Sequence, residues 1–81
     1  MPEPNKKKPS TAPFSKREQQ VLGLLNDGKS DKQIARRLGI SDLTARKHRA
    51  NLLKKAHASN VCELLFVSIV SGWLDLPDEP L

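Results

Sequence analysis

The sequence contains a single cysteine, Cys62, so it can form neither an intramolecular disulfide nor a zinc site built on paired cysteines. It has no apolar run long enough to cross a membrane, and its N-terminus lacks the apolar segment of a secretory signal. No segment alternates apolar and polar residues as a half-buried strand would. Serine and aspartate residues stand where helices are expected to begin, which explains them without catalysis. We therefore expect an all-α, cytoplasmic protein that is not an enzyme and that binds no metal or cofactor.

Positive charge is missing from the last third of the chain. All fourteen Lys and Arg residues lie between Lys6 and Lys55. With five acids, residues 1–55 carry a net charge of +9, whereas residues 56–81 hold four acids and carry −4. Such separation is expected of a protein that binds nucleic acid through one part of its surface. Charge alone does not distinguish DNA from RNA or from an anionic membrane.

The length allows one small domain, which we place at residues 14–76. Residues 1–13 hold four of the six prolines, the run Lys6–Lys8 and almost no large apolar side chain. We expect them to form a disordered basic tail or linker, and residues 77–81 to form a short C-terminal tail. Two roles stay open for the basic tail, which are a tether to a further domain and an arm that reaches the DNA backbone.

Four helices are predicted from capping residues that precede apolar stripes at helical spacing. The expected N-caps are Ser15, Ser30, Ser41 and Asn60. Gly39 is placed to end the second helix in a left-handed turn. The third helix should run to about Ala56 and the fourth to about Trp73. The tight turn between the second and third helices, together with the basic third helix, predicts a helix-turn-helix whose last helix enters the major groove of duplex DNA.

The third helix has an apolar face and a cationic face when it is projected at about 100° per residue. Ala45, Leu52 and Ala56 share the apolar face. From Arg46 to Lys55 there are five cations and no acid, whereas ordinary solvated helices mix the two signs. We therefore interpret the outer face as a DNA-binding surface. Its residues are Leu43, Arg46, Lys47, Ala50 and Lys54.

His48 lies on the flank of the apolar face. We expect it to be partly buried and to make one hydrogen bond. The alternative is a contact with phosphate, or one that responds to pH.

The fourth helix is apolar on more than one face, because ten of the fourteen residues from Val61 to Leu74 are apolar. One side should face the core through Val61, Leu64, Leu65 and Ser68. A terminal helix in so small a chain has too few neighbours to bury the rest, so we expect a symmetric dimer. The alternative is that the basic domain simply uses a wide hydrophobic face, with or without the tail folded over it. The predicted dimer residues are Cys62, Phe66, Ile69, Val70 and Trp73.

Three runs of residues closely resemble the LuxR-type (GerE, NarL/FixJ) DNA-binding domain. They are F-S-K-R-E-Q-Q-V-L-G-L-L, then G-K-S-D-K-Q-I-A-R-R-L-G-I-S-D-L-T-A-R-K-H-R-A-N-L-L-K-K, and then S-N-V-C-E-L-L. The resemblance covers Phe14 to about Leu74. It implies a bacterial transcription regulator with a four-helix domain, in which the third helix binds the major groove and the fourth often forms the dimer. The first implied partner is double-stranded DNA that carries an inverted-repeat operator. The second is another copy of the chain, which dimerises either on DNA or before binding it. The third is RNA polymerase.

The resemblance also implies roles for individual residues. Base-facing contacts fall at Leu43, Arg46, Lys47 and Ala50. Phosphate contacts fall at Ser30, Lys32, Thr44 and Lys54.

The sequence departs from the usual pattern of the family in four places. Leu43 replaces a residue that is often polar, which suits a thymine methyl group better than a hydrogen bond. Ala45 replaces a common valine, and Lys47 is more basic than is usual. His57 stands where glycine is common, and must adopt a left-handed conformation to cap the third helix.

Two other functions remain open from the residues. A promoter-binding domain like region 4 of sigma factors has a similar helix-turn-helix, although the fourth helix and the T-x-x-x-H spacing argue against it. A protein-interaction module could also keep the fold and bind another regulator through its apolar last helix.

Overall fold

The structure, a computed structural model, describes residues 12–74 of the chain. Within this range it contains four helices and no strand: α1 (Lys16–Asn26), α2 (Asp31–Leu38), α3 (Asp42–Ala56) and α4 (Val61–Val70). The predicted all-α, four-helix fold is therefore confirmed. None of these helices is long and apolar enough to cross a membrane. Most of the predicted basic tail, including Lys6–Lys8, and the predicted C-terminal tail at 77–81 lie outside the described residues.

Each helix begins at the predicted N-cap. The Ser15 hydroxyl accepts a hydrogen bond from the backbone N–H of Glu18 at 3.1 Å, and the Glu18 carboxylate accepts one from the N–H of Ser15 at 2.9 Å. Ser30 and Gln33 form the same reciprocal pair at the start of α2. These side chains satisfy backbone donors that have no partner inside the helix. Local polar chemistry therefore sets where the helices begin.

Two left-handed residues make the turns that position α3. Gly39 ends α2 with φ +70°, and His57 ends α3 with φ +56°. His57 is the one residue other than glycine with a positive φ among residues 12–74. Its predicted left-handed cap is confirmed, and it is a strained conformation for a residue that has a Cβ.

The fourth helix is shorter than predicted and ends at Val70, three residues before Trp73. Gly72 then turns the chain at φ +82°, and the indole of Trp73 packs edge-on against the ring of Phe14, with 5.3 Å between ring centroids. Gln19 donates a hydrogen bond from its side-chain amide to the Trp73 carbonyl at 2.8 Å. The prediction that the fourth helix continues to Trp73 was therefore wrong. Trp73 instead packs against Phe14 and Gln19, at the start of the domain.

The core lies where α3 meets each of the other three helices. Its fully or nearly fully buried apolar residues are Val21, Leu22, Leu25, Ile34, Ala35, Ala45, Leu52, Ala56 and Leu64. The predicted inner face of α3 is thus confirmed. Leu64 and Ser68 of α4 are also fully buried, and Val61 and Leu65 pack against the core from partly exposed positions, as predicted.

An ion pair joins the end of α3 to the first turn of α1. The Lys55 ammonium lies 2.7 Å from the Glu18 carboxylate, whose side chain is only 7% exposed. Burial alone would raise the pKa of this carboxyl. The hydrogen bond from Lys55, the N–H of Ser15 and the positive charge of Lys55 outweigh burial, so the pKa of Glu18 lies below its ordinary value.

This lowered pKa predicts how stability depends on pH. A carboxyl whose pKa is lower in the folded than in the unfolded state stabilises the fold fully above its unfolded pKa, and the contribution disappears as the pH falls through the folded-state pKa. Glu18→Gln should reduce the free energy of unfolding at neutral pH by about 1–3 kcal/mol and flatten its fall at acid pH. Thermal unfolding followed by circular dichroism between neutral and acid pH measures both effects.

Asp27→Asn is the matched control, because Asp27 is exposed and makes no ion pair among residues 12–74. The free energy of unfolding of this variant should fall as steeply at acid pH as that of the parent. A Glu18→Gln variant with the same pH dependence as the parent would contradict the assignment.

Candidate nucleic-acid interface

The outer face of α3 presents four side chains around one shallow hollow. Leu43, Arg46, Lys47 and Ala50 line it, and they are the four residues that the sequence predicted to face bases. All four are exposed, and Leu43 is 70% exposed despite its apolar side chain. Their Cα atoms lie on two consecutive turns of one helix, which is the geometry that a base-contacting surface needs.

The five cations of α3 separate into two groups. Arg49 lies 3.2 Å from Asp31 of α2, and Lys55 lies 2.7 Å from Glu18 of α1. These are the two ion pairs within residues 12–74. The other three cations, Arg46, Lys47 and Lys54, are exposed and make no ion pair in this range. Of the five, these three therefore lack an ion-pair partner within the part of the chain that the structure describes.

The residues predicted to contact phosphate lie at two helix starts and at the end of α3. Ser30 and Lys32 are exposed at the N-terminus of α2, and Lys54 is exposed near the end of α3. Thr44 is half-buried, and its hydroxyl oxygen accepts a hydrogen bond from the Ser41 hydroxyl at 2.9 Å. The Ser30 oxygen already accepts the N–H of Gln33, which leaves the Ser30 hydroxyl proton free to donate.

His48 is half-buried, as predicted. Its Nδ1 atom is buried and has no hydrogen-bond partner among the described residues, so the predicted hydrogen bond is not made at this nitrogen.

The outer face of α4 is apolar, and no other described residue covers it. Phe66 and Val70 are 66% and 68% exposed, and Cys62 is exposed one turn earlier. Ile69 is half-buried beside them. Trp73, predicted to share this face, is half-buried against Phe14 after the helix has ended.

A second cationic surface was not singled out from the sequence. Lys29, Gln33, Arg36 and Arg37 line a hollow on the exposed side of α2. Gln33 lies three and four residues before Arg36 and Arg37 on α2, and this spacing, with Lys29 just before the helix, was the signal that could have revealed it.

Comparisons with known proteins place the chain among bacterial regulatory proteins. Residues 12–68 match the model of the family described as bacterial regulatory proteins, luxR family. The chain is 46% identical over 61 residues to the transcriptional regulatory protein UhpA of Salmonella typhimurium, an alignment that covers 75% of this chain and 31% of UhpA. It is 41% identical over 61 residues to the transcriptional regulatory protein FixJ of Azorhizobium caulinodans, covering 75% of this chain and 29% of FixJ.

A similar fold occurs in a crystal structure of the VqmA–ligand–DNA complex of Vibrio cholera. The TM-score is 0.71 and the sequence identity 31%, and the match covers 88% of this chain and 31% of that one. The chain thus spans about 30% of the length of the curated relatives named above and of this structure.

Lys54 and Lys55 allow a direct test of the two groups of cations, because they are neighbours with different surroundings. Lys55→Gln leaves the Glu18 carboxylate buried without its cation and should lower the free energy of unfolding by about 1–3 kcal/mol. Lys54→Gln should change it by less than about 0.5 kcal/mol. If Lys54 binds phosphate, its loss should lower the slope of log K against log salt by about one unit.

Unfolding by urea and DNA titration over a salt series measure the two properties separately. Equal losses of stability from the two substitutions would contradict the division of the cations.

Proposed function

Because the chain belongs to the luxR family of bacterial regulatory proteins, we propose that its helix-turn-helix binds double-stranded DNA in a sequence-specific manner. The proposed role is that of the DNA-binding part of a cytoplasmic transcriptional regulator, with no catalytic activity. The observation that carries the proposal is the shared hollow on α3, where two exposed cations stand beside two exposed apolar side chains.

The proposed base contacts come from the outer face of α3. Arg46 and Lys47 can donate hydrogen bonds to guanine O6 and N7 in the major groove. Leu43 and Ala50 can pack against thymine methyl groups, which present no polar atom to satisfy. An operator with G·C and A·T pairs next to each other in the half-site suits this combination.

The proposed phosphate contacts flank the base contacts. Ser30 and Lys32 lie at the N-terminus of α2, where backbone N–H groups and the helix dipole favour an anion. Thr44 lies near the N-terminus of α3, and Lys54 lies near its C-terminus. Contacts at both ends of α3 would hold it along the groove without reading sequence themselves.

The proposed dimer uses the outer face of α4. Exposed Phe66 and Val70 form its centre, with Cys62 and Ile69 beside them and Trp73 at its edge. A two-fold axis through this face would set two α3 helices roughly one DNA turn apart, about 34 Å, on an inverted repeat. The face is small and association carries a large entropic cost, so we propose that dimers form mainly on DNA, where RNA polymerase is the expected further partner.

Arg46→Ala tests the proposed base contact. It should weaken binding to the operator by about 1–3 kcal/mol and relax the preference at one base pair, because a guanine loses its hydrogen-bond donor. The measurement is a fluorescence-anisotropy titration of operator and random duplexes, with the operator first selected from a random pool. Lys54→Gln is the control, and should weaken both duplexes alike.

Equal losses on operator and random DNA for Arg46→Ala would make Arg46 a phosphate contact. If the parent binds no duplex in a salt series, the protein-interaction alternative replaces the proposed function.

Val70→Glu tests the proposed dimer, and is suitable because an exposed side chain can be charged without disrupting the core. Because position 70 is exposed, the variant should stay folded. In a dimer, the two introduced carboxylates would repel each other across the two-fold axis, so the variant should remain monomeric. Its affinity should fall at least about tenfold on the full inverted repeat, but should change little on one half-site. Sedimentation and titration of both duplexes measure this.

Gln20→Glu adds the same charge on an exposed position of α1 and is the control. Parent-like affinity of Val70→Glu for the full site would show that α4 is not the dimer interface.

A further inference from the structure

One acidic side chain lies among the groups proposed to bind phosphate. Asp31 is the first residue of α2, directly between Ser30 and Lys32. An acid at this position stabilises the helix through the dipole. It also places a negative charge where the proposed function requires a DNA phosphate to approach. Because both groups are anions, the carboxylate would repel the phosphate.

The structure shows what offsets this charge. The Arg49 guanidinium reaches across from α3 and lies 3.2 Å from Oδ2 of Asp31. The side chains are 35% and 21% exposed, respectively, so the pair is only partly screened by water. The other oxygen, Oδ1, is buried and has no hydrogen-bond partner among residues 12–74. Arg49 is therefore the one described side chain that forms an ion pair with the carboxylate.

Arg49 is also placed differently from the cations proposed to bind DNA. It lies on the flank of the core face of α3 and is half-buried, whereas Arg46, Lys47 and Lys54 are exposed. Its guanidinium is directed to α2 and not to the hollow on the outer face.

We propose that Arg49 acts on DNA binding through Asp31, by neutralising the acid that would otherwise repel phosphate from the start of α2. Arg49 is then a positioning residue for the phosphate and makes no DNA contact of its own. The inference rests on the proposed DNA-binding function. It adds that the ion pair between Arg49 and Asp31 sets the affinity for phosphate at the start of α2.

Arg49 could also act in two other ways, by fixing the angle between α2 and α3 or by binding phosphate itself. The DNA affinities of Asp31→Asn, Arg49→Gln and the double variant distinguish these roles from neutralisation. If the pair only fixes the angle between α2 and α3, Asp31→Asn and Arg49→Gln both weaken binding. If Arg49 itself binds phosphate, the double variant is as weak as Arg49→Gln. Under neutralisation, Asp31→Asn strengthens binding and Arg49→Gln weakens it, but Arg49→Gln has little further effect once Asp31 is neutral, so the double variant binds like Asp31→Asn.

The experiment titrates the parent, the two single variants and the double variant against operator and random duplexes at about 50 and 200 mM salt. Asp31→Asn should raise the affinity for both duplexes by roughly three- to tenfold, and Arg49→Gln should lower both by a similar factor. The affinity of the double variant should lie within about twofold of that of Asp31→Asn. These differences should shrink at the higher salt, because screening weakens them.

Thermal unfolding of each variant shows whether it is folded at the titration temperature. Arg49→Lys keeps the positive charge and should therefore bind like the parent. If Arg49→Gln is unfolded, the outcome for Asp31→Asn carries the test. Asp27→Asn is the matched control, since it removes one exposed acid at the end of α1. An equal gain from Asp27→Asn would overturn the proposal in favour of net charge alone.

A loss of affinity in Asp31→Asn, or a double variant as weak as Arg49→Gln, would also overturn the proposal. In these cases the parent still binds the operator and Arg46→Ala still behaves as expected, so the proposed function stands. A parent that binds no duplex overturns both.

Discussion

The arrangement of this domain depends on α3 burying one face while it keeps the other in water. α3 packs against each of the other three helices, and the side chains on its inner face are mostly small, with Ala45 and Ala56 on either side of Leu52. Small side chains let the neighbouring helices approach closely. Because side-chain direction repeats every 3.6 residues, fixing the inner face also fixes where Arg46 and Lys47 point. The core therefore determines the geometry of the cationic surface.

Much of the fold was predictable because its signals are local. N-caps, the glycine after α2 and the apolar stripes of the first three helices act within about four residues of themselves, and each was found where the sequence placed it. The same is true of the outer face of α3, since helical spacing alone determines which side chains lie opposite a buried stripe. The hollow formed by Leu43, Arg46, Lys47 and Ala50 follows from that spacing.

The parts that sequence reasoning missed depend on contacts between distant residues. Trp73 continues the apolar composition of α4, and nothing local shows that Phe14 will bind it at the other end of the domain. The partners of Arg49 and Lys55 depend on how α3 crosses α2 and α1, so a count of cations along α3 could not separate paired from free ones. The same reason applies to His48, whose burial was predictable but whose neighbours were not, so the lack of a partner for its Nδ1 among residues 12–74 was missed.

The two ion pairs of α3 connect the stability of the domain to its surface charge. Glu18 and Asp31 both lie in the first turn of a helix, where the dipole favours an acid, and each also holds one cation of α3. α3 is thus bound from two sides by acids in the first turns of α1 and α2, where they also stabilise those helices. The same contacts use two of the five cations between Arg46 and Lys55 and leave three exposed. Under the proposed function, a domain with all five cations unpaired would attract any polyanion more strongly without gaining base contacts, so these ion pairs would limit the part of the DNA affinity that carries no sequence information.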